Sequence, residues 1–215
     1  MFSIRKTVLS AFVIGGVTLA AQGASADIIY NNGAPNGVSG NDSTQWVQAE
    51  DFVLSQKNHI TDAHIFIAGL GGIGNWDGTM NYYFFADAGG SPGNLLASGA
   101  GQNVTVTDTG AAWGPGGNVF EVGFDLQAEL VVFPGATWFG IHLSTNFDRD
   151  DIYWVTTDPT SGNGHESDGG TFDNWFNNGQ EHAFYLTGRI PEPATLALFG
   201  LGLAGLGIAR RRKAA

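Results

Sequence analysis

The 215-residue chain contains no cysteine, so no disulfide staples it and no thiol serves as nucleophile or soft metal ligand. Positive charge is scarce between residues 27 and 189. Lys57, Arg149 and Arg189 stand there against nineteen acidic side chains, a net charge of −16. A surface of that sign repels phosphate backbones and argues against nucleic acid as a partner. The same span lacks a convincing 3.6-residue apolar period, which argues against a helical domain. It also lacks a G-x-S-x-G elbow, a phosphate loop and a dinucleotide fingerprint. His165-Glu166 is followed by Ser167-Asp168-Gly169, not by the x-x-His of a zinc protease. His59, His64, His142 and His182 show no ligand spacing that favours zinc. Glycosidases need two facing carboxylates about 5–10 Å apart; nineteen acids permit many pairs and single out none. The expectation is a domain without enzymatic activity.

What is present is β-pattern. Clusters of Gly, Asn, Asp and Ser bound short runs in which apolar residues alternate. In Asn118–Leu126, Phe120, Val122, Phe124 and Leu126 share one face. Thr137–Leu143 groups Phe139, Ile141 and Leu143; Ile60–Ala68 groups Ala63, Ile65 and Ile67. Glu181–Thr187 sets His182, Phe184 and Leu186 against Ala183 and Tyr185. Met80–Ala86 and Ile152–Thr157 are apolar on both faces and read as central strands. Gln45–Leu54, Asn103–Thr107 and Leu130–Phe133 bring the total to about nine. Short connections favour antiparallel order. Gly89-Gly90-Ser91-Pro92-Gly93 reads as a turn. The fold class expected is all-β, an antiparallel β-sandwich over residues 27–189.

The two ends carry addresses. Arg5 and Lys6 precede an apolar run from Val8 to Ala21, and Ala24-Ser25-Ala26 has the small-x-small form accepted by signal peptidase. That is the plan of a secretory signal peptide over residues 1–26. At the other end, Ile190-Pro191-Glu192-Pro193 leads into an apolar run from Ala194 to Ala209 and then Arg210-Arg211-Arg212-Lys213. As a helix, that run would be about 24 Å long, short against a hydrocarbon core of about 30 Å. Its four glycines suit a membrane more than water. The basic cluster holds the cytoplasmic side, so both ends agree on one topology.

Pro191, Glu192 and Pro193, the Gly/Leu-rich span and the terminal basic cluster resemble the PEP-CTERM sorting signal of Gram-negative bacteria. The resemblance covers residues 190–215. It implies a membrane-inserted precursor, processing by an exosortase near the proline motif, and association with exopolysaccharide and biofilm. The segment Phe85–Ser98 resembles one that recurs in secreted β-sandwich domains carrying this signal; it implies a jelly-roll-like fold and no activity.

Two candidate sites follow from residue chemistry. Asp148, Asp150 and Asp151 crowd one loop with oxygen ligands suited to calcium. Trp76, Trp113 and Trp175 lie in Asn- and Gly-rich loops, where an open ring face stacks on sugar. The reading is a secreted, exosortase-processed surface or matrix protein with a structural or adhesive role. The alternative is a calcium-supported lectin-like domain or a carbohydrate-active enzyme.

Overall fold

The computed structural model describes residues 26–158 and 162–190. The signal peptide with Ala24, and the sorting segment with Pro191, Glu192, Pro193 and Arg210–Lys213, lie outside the described residues. Thirteen strands, all paired antiparallel, make two packed sheets, and the described residues contain no helix.

The first sheet is built around β4 (Asn58–Gly69). Along one edge β4 pairs with β8 (Asn118–Val132), which in turn pairs with β7 (Gln102–Ala112). Its other edge is shared. β13 (Phe184–Arg189) takes the first half, from His59 to Ile65, and β10 (Ile152–Val155) takes the second, from Ile67 to Gly69. β1 (Asp27–Asn31) then pairs with β13, and β2 (Gly40–Asp42) with β10. The second sheet runs β12 (Trp175–Asn177), β11 (His165–Ser167), β3 (Val47–Leu54), β9 (Gly135–His142), β5 (Asn81–Asp87), β6 (Pro92–Ala100).

The apolar alternation dictates how the sheets face. Ala63, Ile65, Ile67, Val122, Phe124, Phe184 and Leu186 of the first sheet meet Phe52, Phe84, Phe139 and Ile141 of the second in one core. Phe139 sits at its centre, with ring centroids 5.2 Å from Phe84, 5.3 Å from Phe184 and 5.8 Å from Trp154. Each such pair adds about 0.5–1.5 kcal/mol beyond its buried area. Ile60 joins the same core despite its odd spacing from Ala63. Against β13 the register shifts between Thr187 and Gly188, where Thr61 is an extra residue on β4, and this returns Ile60 to the inner face.

Strands that look apolar on both faces have a cover on each. On the outer face of the first sheet, Val155 and Tyr153 pack with Trp113, Val119, Ala68 and Phe66. On that of the second, Phe85 and Tyr83 pack with Trp138, Ala49, Phe172 and Trp175. The five strands without an alternation signal are β1, β2, β6, β11 and β12. β2, β11 and β12 are three residues long, and β1 and β6 border a partner along one edge only, so pairing and not a buried face defines them. Runs 118–126 and 130–133 form one bent strand, β8, irregular between Asp125 and Leu130.

Two glycines are fixed for different reasons. A Cβ at Gly188 would run into the His59 carbonyl on β4. Gly89 turns the β5–β6 corner at φ +80 in open space, with its N–H donated to Asp87 Oδ2 at 3.0 Å. Gly188→Ala should therefore cost about 2–3 kcal/mol through backbone displacement, and Gly89→Ala about 1 kcal/mol through its left-handed conformation. Urea unfolding of both variants measures the difference.

Candidate functional site

Ionisable groups gather at three places. The first is internal. Glu50 projects from β3 into the sandwich, and its Oε2 accepts the His182 backbone N–H and Nδ1–H, each at 2.8 Å. Both side chains are fully buried. Trp154 stacks on the imidazole at 4.7 Å, and Asn41 Oδ1 lies 3.1 Å from Nε2. Burial pushes the Glu50 carboxyl up, against the pull of His182. Beside it, the buried Glu181 accepts the Asn32 amide at 3.0 Å and the Gly162 N–H at 2.8 Å. Tyr30 hydrogen-bonds Asn32 Oδ1 at 2.7 Å, and its phenol is raised by burial and then by Asp51, Glu181 and Glu50. This centre binds the two sheets and the 156–182 connection together. Its chemistry is closed to solvent.

The second lies on the outer face of the first sheet. Asp62 on β4 and Asp125 on β8 stand directly opposite. Burial, with the opposing Asp125, raises the Asp62 carboxyl against the pull of Thr61. The Asn103 amide, 2.6 Å from Asp125 Oδ2, lowers Asp125. The two carboxyls thus differ in proton affinity, with Asp62 the tighter of the two. One register step along, Tyr185 stacks on His64 at 4.2 Å, and Glu121 Oε1 receives Tyr185 Oη–H at 2.6 Å with His64 Nδ1 at 3.0 Å. Composition marks no acid pair; pairing of β4 with β8 singles this one out.

The third is the loop that sequence chemistry marks for calcium. Asp148 Oδ1 accepts Ser144 Oγ–H at 2.6 Å. Asp151 Oδ1 accepts Arg149 Nε–H at 2.8 Å and Tyr153 Oη–H at 2.9 Å. Asp150 is tied through its backbone N–H to Thr44 Oγ1 at 2.9 Å. Its carboxyl is pushed up by burial and then by Asp148, Asp77, Asp42 and Asp151. Asp42 Oδ2 is buried without a hydrogen bond, 3.7 Å from Arg149 Nε. Arg149 therefore bridges Asp42 and Asp151, supplying the positive charge there. Among the described residues no three His, Asp or Glu side chains converge as a metal-ligand group.

The tryptophans marked for sugar are anchored. Trp113 is 4% exposed and donates Nε1–H to Ser39 O at 3.1 Å. Trp76 packs against the core and donates to Thr79 O at 2.9 Å. Trp175 lies parallel to Phe172 and edge-on to Phe85, with a buried, unpartnered Nε1. Of the processing residues, Ala26 is described and exposed, one residue before β1.

Asp27 pairs with Gly188, so the first residue of β1 and the residues just before Pro191 lie side by side at one end of the sandwich.

Removing one partner of the internal pair strands the other. His182→Ala should cost about 3–5 kcal/mol, while Glu50→Leu combined with His182→Leu should cost less than the sum of its singles; a double-mutant cycle by urea unfolding reads both. Asp62 holds its proton more tightly folded than unfolded. Its contribution is full below the ordinary aspartate value of about 4 and is lost as pH rises through the raised folded value. Asp62→Asn should therefore gain in Tm over the parent between pH 4 and pH 8, whereas a pH-independent gap would mean that the two carboxyls share no proton.

No curated protein and no solved structure matches the chain. Residues 189–213 match the family model described as the PEP-CTERM protein-sorting motif. That match begins at Arg189, the last residue of β13, so the motif leaves the sandwich with no intervening linker. The chain thus carries a PEP-CTERM protein-sorting motif, which implies a membrane-anchored precursor, export and exosortase sorting.

Proposed function

We propose that the β-sandwich is a non-enzymatic display domain, processed by an exosortase and delivered to a surface or extracellular matrix built on exopolysaccharide. The pairing of β1 with β13 is the observation that carries this reading. With both exits at one end, the domain projects as a unit, and its opposite loops face outward. The buried carboxyl of Glu50 is committed to holding sheets together, as is the neighbouring Glu181. The net charge of −16 over residues 27–189 suits a hydrated polymer layer, where cations bridge acidic groups and like charge keeps copies dispersed.

Replacing Pro191, Glu192 and Pro193 by alanine in the producing cell should leave a full-length product in the membrane fraction in place of a shortened surface product, read by immunoblot of fractionated cells. Loss of the gene should lower matrix mass. Purified residues 27–190 should be retained on the cell's own polymer without releasing sugar; sugar release would replace this reading with an enzymatic one.

A further inference from the structure

The sandwich has two unlike poles. The pole where the sorting motif departs is made by the end of β13, the start of β4, the end of β8 and two short connections. Arg189 pairs with His59, and His59 with Val131. On the second sheet Leu54 pairs with Gly135 and Val53 with Ala136, so the β3–β4 and β8–β9 connections lie at the same end. Lys57 Nζ stands 5.8 Å from the centre of the Phe133 ring across these connections. Two of the three Lys and Arg side chains between residues 27 and 189 are thus at this pole. Its acids are few and engaged. Glu129 is paired with Arg189 and His59, and Asp87 accepts the Trp138 indole N–H at 3.0 Å; Asp27 completes the set. The apolar tip is unusually bare: Phe133 is 67% exposed, Val53 60% and Ile190 44%. At the other pole Asp42, Asp77, Asp148, Asp150 and Asp151 surround Arg149, the third cation.

We propose that the Lys57–Phe133–Arg189 pole is a docking surface for an anionic phospholipid bilayer. Phe133 and Ile190 enter the headgroup region, while Lys57 and Arg189 meet lipid phosphates. The inference rests on reading residues 190–215 as a membrane-inserted sorting signal, which brings Ile190 within a few residues of the hydrocarbon. Charge selects the orientation. The twelve residues of β4 span about 40 Å, several times the Debye length of about 8 Å at physiological salt. With this pole down, the five carboxylates around Arg149 lie beyond the reach of lipid phosphates; with that pole down they would face them. The covalent tail supplies effective concentration, so weak docking suffices to hold the proline motif at a fixed height above the membrane.

The test uses residues 27–190, which contain all thirteen strands and the core clusters and lack the tail that would insert by itself. Sedimentation with vesicles of phosphatidylglycerol and phosphatidylethanolamine at low salt should carry the protein down, and pure phosphatidylcholine should carry much less. Lys57→Glu and Phe133→Ser, both in exposed connections, should each lower binding about tenfold. Asp108→Lys on exposed β7, away from this pole, should leave binding unchanged. Absence of sedimentation with the anionic vesicles, equal binding by the Phe133 variant, or a gain from Asp108→Lys would overturn the proposal. So would a concentration-dependent dimer abolished by Phe133→Ser, which would assign the tip to a second copy. None of these readouts involves cleavage, so failure here is distinct from failure of the alanine-substituted motif to block processing.

Discussion

The fit of β13 against β4 is the contact on which the rest depends. Gly188 lies so close to the His59 carbonyl that no side chain is accommodated. That closeness lets β13 pair along β4 from His59 to Ile65 while β1 adds to its free edge. Without it the N-terminal strand has no partner and the sorting motif leaves from an untethered end. A single missing Cβ thus connects backbone packing and the exit geometry.

The ionisable groups divide by job. Inside, Glu50, His182 and Glu181 act as hydrogen-bonded cross-links, and removing one partner leaves the other buried and unpaired. On the outer face, Asp62 and Asp125 sit in enforced proximity and settle it by unequal proton affinity. In the loops beyond β9, Arg149 does what a bound cation would do, linking Asp42 with Asp151. A domain of such negative charge is thus pinned by a handful of well-placed donors, with no disulfide.

Much of this was legible in the sequence. Ala63, Ile65 and Ile67, and Val122, Phe124 and Leu126, alternate because one face of each strand is dry, and the sandwich follows from that alternation. Strands defined by pairing alone escaped: β2 is Gly40-Asn41-Asp42 and β11 is His165-Glu166-Ser167, whose polar residues carry no period. The packing of loop tryptophans is hidden for a related reason. Trp113 is flanked by Gly114 and alanines, which reads as exposed, yet it plugs the outer face of the first sheet beside Tyr153. Local sequence reports flexibility of the chain and not what folds back over it. The Asp62–Asp125 pair is sixty-odd positions apart and owes its existence to the β4–β8 register, which is irregular just beyond it, between Asp125 and Leu130, and which no local pattern announces.

The shared exit of β1 and β13 has a mechanical consequence. In the membrane-anchored precursor, tension between the C-terminal segment and the opposite loops pulls β13 along its own axis. Its six register pairs with β4 and four with β1 are then loaded together, in shear, and not peeled one after another. The tether thus joins the domain where the strand geometry resists force best, and the load passes directly into the central strand of the first sheet.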